Sequence, residues 1–159
     1  MPNNLMVENN KSVFGAVPKS YSSAAMTAQY VSMKNYGHLT IIITTGAWAA
    51  GTAAVTLAQA TAIAGTGTKA LAMAYYWLGT LTDDALVKTA VTSDTFNLSA
   101  ASKLVVIEVD AEDLDVDNGF DCVTLEVASP GANADFYNVV YVLSQPRYSQ
   151  PTPPTALSD

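Results

Sequence analysis

Residues Leu104–Val127 read LVVIEVDAEDLDVDNGFDCVTLEV, two β-type apolar runs joined by a short, strongly acidic connection. Apolar runs this short, rich in Val, Ile and Leu and bounded by turn residues, predict strands rather than helices. The connection places Asp113, Asp115 and Asp117 at alternate positions, as the first ligands of an EF-hand loop stand. The turn glycine should then be residue 118 and a bidentate Glu residue 124, but they are Gly119 and Thr124. A calcium loop therefore fails at two positions that matter mechanically. Asp117-Asn118-Gly119 holds residue types that tolerate positive φ, so a tight reversal fits there. The segment predicts two core strands joined by an acidic rim. Asp113, Asp115 and Asp117 stay as candidates for an irregular cation site; otherwise no metal and no cofactor is expected.

Working outward, Phe136–Leu143 continues the strong strand pattern. On the other side, His38–Thr45 puts Leu39, Ile41 and Ile43 on one face and Thr40, Ile42 and Thr44 on the other, the period of two of a half-buried strand. Ala53–Ala60 alternates similarly, and with Gly46–Gly51 between them the pair is expected to form a hairpin with a long loop. A helix over Ala49–Ala64 ranks second, because Thr, Val and Gly dilute the helix preference of its alanines. Met26–Met33, a run with Leu71, Met73, Tyr75 and Trp77 on one face, Val87–Val91 and Thr95–Leu98 supply further strands. About eight such segments, with turn signals every ten residues or so, predict an all-β fold: an antiparallel β-sandwich or jelly-roll-like domain. Its expected limits are 25–145, with a polar N-terminal arm at 1–24 and a Pro-rich C-terminal arm at 146–159. The second arm holds Pro146, Pro151, Pro153 and Pro154, and proline locks φ and removes the ladder donor. It is open to two readings, a disordered terminus or a stiffened arm lying on a neighbouring subunit.

A 159-residue chain with half its residues apolar has the size of one domain and can bury a core without disulfides or metal. The net charge of -7 is unevenly spread, about +2 over residues 1–35 and -9 from Val106 onward. An acidic chain with no basic stripe repels phosphate backbones, so direct nucleic-acid binding is not expected, whereas opposite ends of opposite sign favour contacts between copies. Residues 35–68 carry no charge, but repeated Thr and Gly break any spanning helix, so no membrane partner is expected. The N-terminus MPNNLMVENNKSVFG lacks the basic and apolar regions of a signal peptide, leaving Asn97-Leu98-Ser99 an idle sequon.

Catalytic constellations fare poorly. Cys122 is the only cysteine and His38 the only histidine, so a redox pair, a thiolate zinc cluster and most nucleophile–base pairs are excluded. Cys122 reads as a small core residue and His38 as a structural hydrogen-bonding group whose protonation could sensitise an interface to pH. Gly65-Thr66-Gly67 lacks the third glycine and following Lys-Ser/Thr of a phosphate loop. Paired carboxylates are the one enzymatic route left, and they cluster in a single connection rather than across a cleft. Trp48 reads as an exposed partner anchor and Trp77 as core.

Two stretches, SMKNYGHLTIIITTGAWAAGTAAVTLAQATAIAGTGTKALAMAYYW (32–77) and VIEVDAEDLDVDNGFDCVTLEVASPGANADFYNVVYVLSQPRYSQPTPPTA (106–156), together resemble a family of small tailed-bacteriophage head proteins similar to capsid decoration or cement proteins. The resemblance implies a non-enzymatic virion component on the capsid surface, made in the host cytoplasm. Its implied partners are the major capsid protein lattice and further copies of itself, a trimer being the first expectation. Trp48, Arg147, Tyr148, Pro151, Pro153 and Pro154 are the expected interface residues. The alternative is a receptor- or glycan-binding module of a head fibre or tail.

Overall fold

The computed structural model describes residues 6–148 and 152–158. Among the described residues a single α-helical turn, α1 (Met6–Asn9), precedes twelve strands: β1 (Lys11–Tyr21), β2 (Met26–Thr27), β3 (Val31–Ser32), β4 (Tyr36–Thr45), β5 (Ala53–Ala60), β6 (Lys69–Leu71), β7 (Tyr75–Thr80), β8 (Asp83–Ala90), β9 (Phe96–Leu98), β10 (Lys103–Asp110), β11 (Cys122–Val127) and β12 (Asp135–Pro146). They form two antiparallel sheets. The first has the order β1-β12-β4-β10-β7-β8 and the second β2-β11-β5-β6, with β3 also on β11 and β9 on β5. The protein is a β-sandwich.

Alternation explains the layering. In β4 the side chains of Leu39, Ile41 and Ile43 are fully buried while Thr40, Ile42 and Thr44 face away; in β10 Val105, Ile107 and Val109 point inward. The second sheet contributes Val55, Leu57, Val123, Leu125 and Val127 from its own inner face. Each such side chain contributes about 1.5–3 kcal/mol by leaving water, so one-residue slippage of any central strand would invert the whole set. Tyr36, Tyr137 and Tyr141 are the largest of the fully buried side chains among the described residues. Gly15 is required beneath Tyr141, because a Cβ there would stand 2.9 Å from its ring.

Several expectations are corrected. Residues 11–21, assigned to a polar N-terminal arm, form β1, hydrogen-bonded along β12 from Lys11↔Leu143 to Tyr21↔Asp135. Pro18 and two bulges masked its period, as an edge strand tolerates both. β4 and β5 make no hairpin: they lie in different sheets, and the loop between them spans the sandwich. Met26–Met33 is two short strands, broken at 28–30. Leu71 and Met73 are buried, but Tyr75 and Trp77 belong to the other sheet, because the chain changes layer at 72–74. The shared period of two therefore spans two surfaces, and half-buried Trp77 faces outward rather than into the core. The segment 104–127 does what its pattern predicted as a corner, with β10 in one sheet and β11 in the other.

The C-terminal segment is also corrected within its described residues. Ala156 is fully buried, its carbonyl accepts from Ser32 N at 2.8 Å, and the Tyr36 hydroxyl donates to the Pro154 carbonyl. Residues 153–156 thus lie on their own domain, neither loose nor reaching outward.

Candidate interaction surface

The outward face of the first sheet carries the most distinctive surface. Cross-strand registers place Phe14 beside Val140, Val140 beside Ile42, Ile42 beside Val106, Val106 beside Trp77 and Trp77 beside Lys88. One row of side chains therefore crosses all six strands, apolar until its last member. Phe14 is 60% exposed; Val140, Ile42, Val106 and Trp77 are half-buried. Directly opposed apolar pairs of this kind stabilise a sheet by roughly 0.2–1 kcal/mol each, but their outer surfaces remain wet. Lys88 lies 3.6 Å from the centre of the Tyr75 ring and 5.6 Å from that of Trp77.

The row is flanked differently on its two sides. One side is neutral, with Asn138, Thr44, Leu104 and Gly79 in register. The other carries Ser12, Val142, Thr40 and Glu108, and beyond them Ser144, His38 and Asp110. Here the His38 ring is held between two carboxylates, Nδ1 2.6 Å from Asp110 Oδ1 and Nε2 2.6 Å from Glu108 Oε2, while Thr40 Oγ1 donates to Glu108 at 2.8 Å. Burial works to lower the imidazole pKa, but the hydrogen bonds to Asp110 and Glu108 and the charges of both acids outweigh it and hold the pKa above its ordinary value. The role expected of His38, structural hydrogen bonding, is what this geometry gives.

The acidic corner does not gather its carboxylates. Asp113 Oδ2 accepts from the backbone N–H of Asp110 at 3.1 Å, Asp115 pairs with Lys69 and accepts from Asn118 Nδ2 at 2.8 and 2.9 Å, and Asp117 is exposed. Among the described residues no group of three His, Cys, Asp or Glu side chains could hold a metal ion. The Lys69 hydrogen bond is the chief reason that the Asp115 pKa lies below its ordinary value. Lys69 also stands 4.3 Å from the Phe120 ring centre, and Gln59 Oε1 accepts from Asp115 N at 2.9 Å, so the corner is stitched to β5 and β6. Leu114 plugs the core end, and Gly119 takes the left-handed φ of 81° that closes the turn.

The other expected interface residues are scattered. Trp48 is half-buried against Tyr137, ring centres 6.3 Å apart, and its Nε1 donates to the Gly51 carbonyl at 3.1 Å; it is a packed loop residue rather than a free anchor. Arg147 is exposed, with its backbone N donating to Asn35 O at 2.9 Å, and Tyr148 is 66% exposed. Pro153 and Pro154 are half-buried on their own domain, and Pro151 lies outside the described residues. Phe14, Val140, Ile42 and Val106, which form the row, escaped the sequence reading. Their outward positions were visible as the second set of each alternation, but their alignment depends on strand order.

No family model matches the chain, and no curated protein matches it. Among solved structures, the SPBc2 prophage-derived protein YomS is 12% identical, with 86% of this chain and 94% of that chain covered and a TM-score of 0.47. A structure of the disulfide-linked pili of Bacillus endospore appendages is 11% identical over 86% and 88%, TM-score 0.40, and Tobacco streak virus coat protein is 9% identical over 92% and 89%, TM-score 0.33. At these identities and scores the likenesses carry no argument about function.

Proposed function

We propose that this chain is a structural protein of a tailed-bacteriophage virion that decorates the capsid surface through contacts with the major capsid protein lattice and with further copies of itself. The observation that carries the reading is the outward apolar row across five strands, on a framework that shows neither a convergent catalytic group nor a gathered set of metal ligands among the described residues. The resemblance of residues 32–156 to small phage head proteins supplies the kind of assembly. A stiff sandwich suits that task, because symmetry repeats each weak contact many times over the lattice.

The test uses purified protein and expanded heads assembled without it. Saturable binding that raises the temperature at which the heads open supports the reading; heads that neither bind the protein nor gain stability overturn it. A glycan-binding role would need a flat aromatic platform. Tyr75 and Trp77 instead stand at 90° to each other, with Lys88 over the Tyr75 ring.

A further inference from the structure

We infer that the outward face of the first sheet docks a second copy of this chain, face to face, about a two-fold axis that runs along the strands between β4 and β10. This deepens the decoration reading and rests on it for its biological use, but its physical argument is independent. An isologous contact needs a surface complementary to itself. The axis between β4 and β10 reverses each row upon itself, and the reversed rows match. Ile42 meets Val106 of the other copy, Val140 meets Trp77, and Lys88 at one end meets the Phe14 ring at the other, in the arrangement of a cation over an aromatic face.

Charge selects this axis over the alternative. Glu108 and Asp110 stand on β10, and their counterparts across the axis are Thr40 and His38 of β4, polar groups that already hydrogen-bond those acids within each copy, so no carboxylate is set against an apolar side chain. On the neutral side Asn138 meets Gly79, which is covered by the Leu86 side chain, and Thr44 meets Leu104. A two-fold axis perpendicular to the strands would instead set Glu108 against Leu104 and bury a carboxylate on an apolar side chain, which is strongly unfavourable.

The area fits a real but modest interface. Six strands at about 4.8 Å and three rows at about 6.7 Å give a patch of roughly 600 Å² per copy, or about 1,200 Å² in total, the lower bound for specific association. The pair is therefore expected to form at micromolar rather than nanomolar concentration, with avidity on a lattice supplying the rest.

Sedimentation equilibrium of the full chain across a wide concentration range tests the pairing. The expected result is a monomer–dimer equilibrium that Val106→Asp weakens by at least about tenfold, with the circular dichroism spectrum and cooperative melt retained. Should that variant fail to fold, the single variants Ile42→Cys and Val106→Cys decide: mixed together they should be joined by a short bis-maleimide cross-linker faster than either alone, and Cys122 is fully buried and does not compete. A chain that stays monomeric, assembles only as a trimer, or shows no preference for the mixed cross-link overturns the inference. Dimers that ignore heads would remove the decoration reading alone, whereas head binding by a chain monomeric at every concentration would remove the pairing alone.

Discussion

The backbone N–H of Leu125 in β11 donates to the Tyr141 hydroxyl of β12 at 3.0 Å, so a hydrogen bond runs through the core from one sheet to the other. The bond exists because the strand opposite Leu125 is interrupted: β2 pairs with 126–127 and β3 with 122–123, and the Leu125 N–H faces the gap between them. Burial of Tyr141 raises its phenol pKa, so the hydroxyl stays protonated and neutral. Tyr141→Phe should lower the unfolding free energy by about 1–3 kcal/mol, the cost of leaving a buried donor unpaired. Denaturant titration with an unchanged slope would establish it.

The His38 clamp makes stability depend on pH. Its folded pKa lies above the ordinary 6.5, so its contribution is fully present below about that pH and is lost as pH rises through the folded value. His38→Gln should lower stability most below pH 6.5 and least at high pH, so that the fall above pH 6.5 is flattened. Chemical denaturation at closely spaced pH values gives the comparison, and a variant with the wild-type slope would remove His38 as its source.

The turn Thr92–Thr95 carries a removable strain. Ser93 and Asp94 adopt φ of 61° and 56°, where a side chain other than Gly, Asn or Asp is disfavoured by about 1 kcal/mol, so the strain lies chiefly at Ser93. Ser93→Asn should raise stability by up to about that amount. Asp94→Gly should not, because Asp tolerates this φ and its Oδ1, which accepts from Met73 N at 3.1 Å, would be lost. Melting both variants side by side checks the asymmetry.

The acidic corner separates structural from ornamental carboxylates. Asp115 has a lowered pKa, so its contribution is present above the ordinary 3.8 and is lost as pH falls through the folded value. Asp115→Asn should weaken the tie to Lys69 and blunt that acid loss, whereas Asp117→Asn should change nothing. Calcium should leave the melting temperature of the wild type unaltered; a rise abolished by Asp113→Asn would revive the cation site.

Much of the fold was legible because two-residue periodicity is a local consequence of burying one sheet face: β4, β5, β10, β11 and β12 all announce themselves this way. What stayed hidden is set by partners distant in sequence. β1 disguises itself with Pro18 and bulges, β4 and β5 look like a hairpin until their sheets are known, and Tyr75 and Trp77 continue a pattern across a change of layer. The candidate surface was hidden for the same reason. Phe14, Val140, Ile42, Val106 and Trp77 are spread over 127 positions of chain, and only strand order brings them into one row. Trp48, chosen because lone loop tryptophans often anchor partners, is held instead by Tyr137 and Gly51.

The most direct measurement is an electron cryomicroscopy reconstruction of heads assembled without this chain and then saturated with it. The account predicts symmetric added density at defined lattice positions, sized for this sandwich and joined to further copies. Heads identical with and without the protein, or density confined to a tail or fibre, would contradict it.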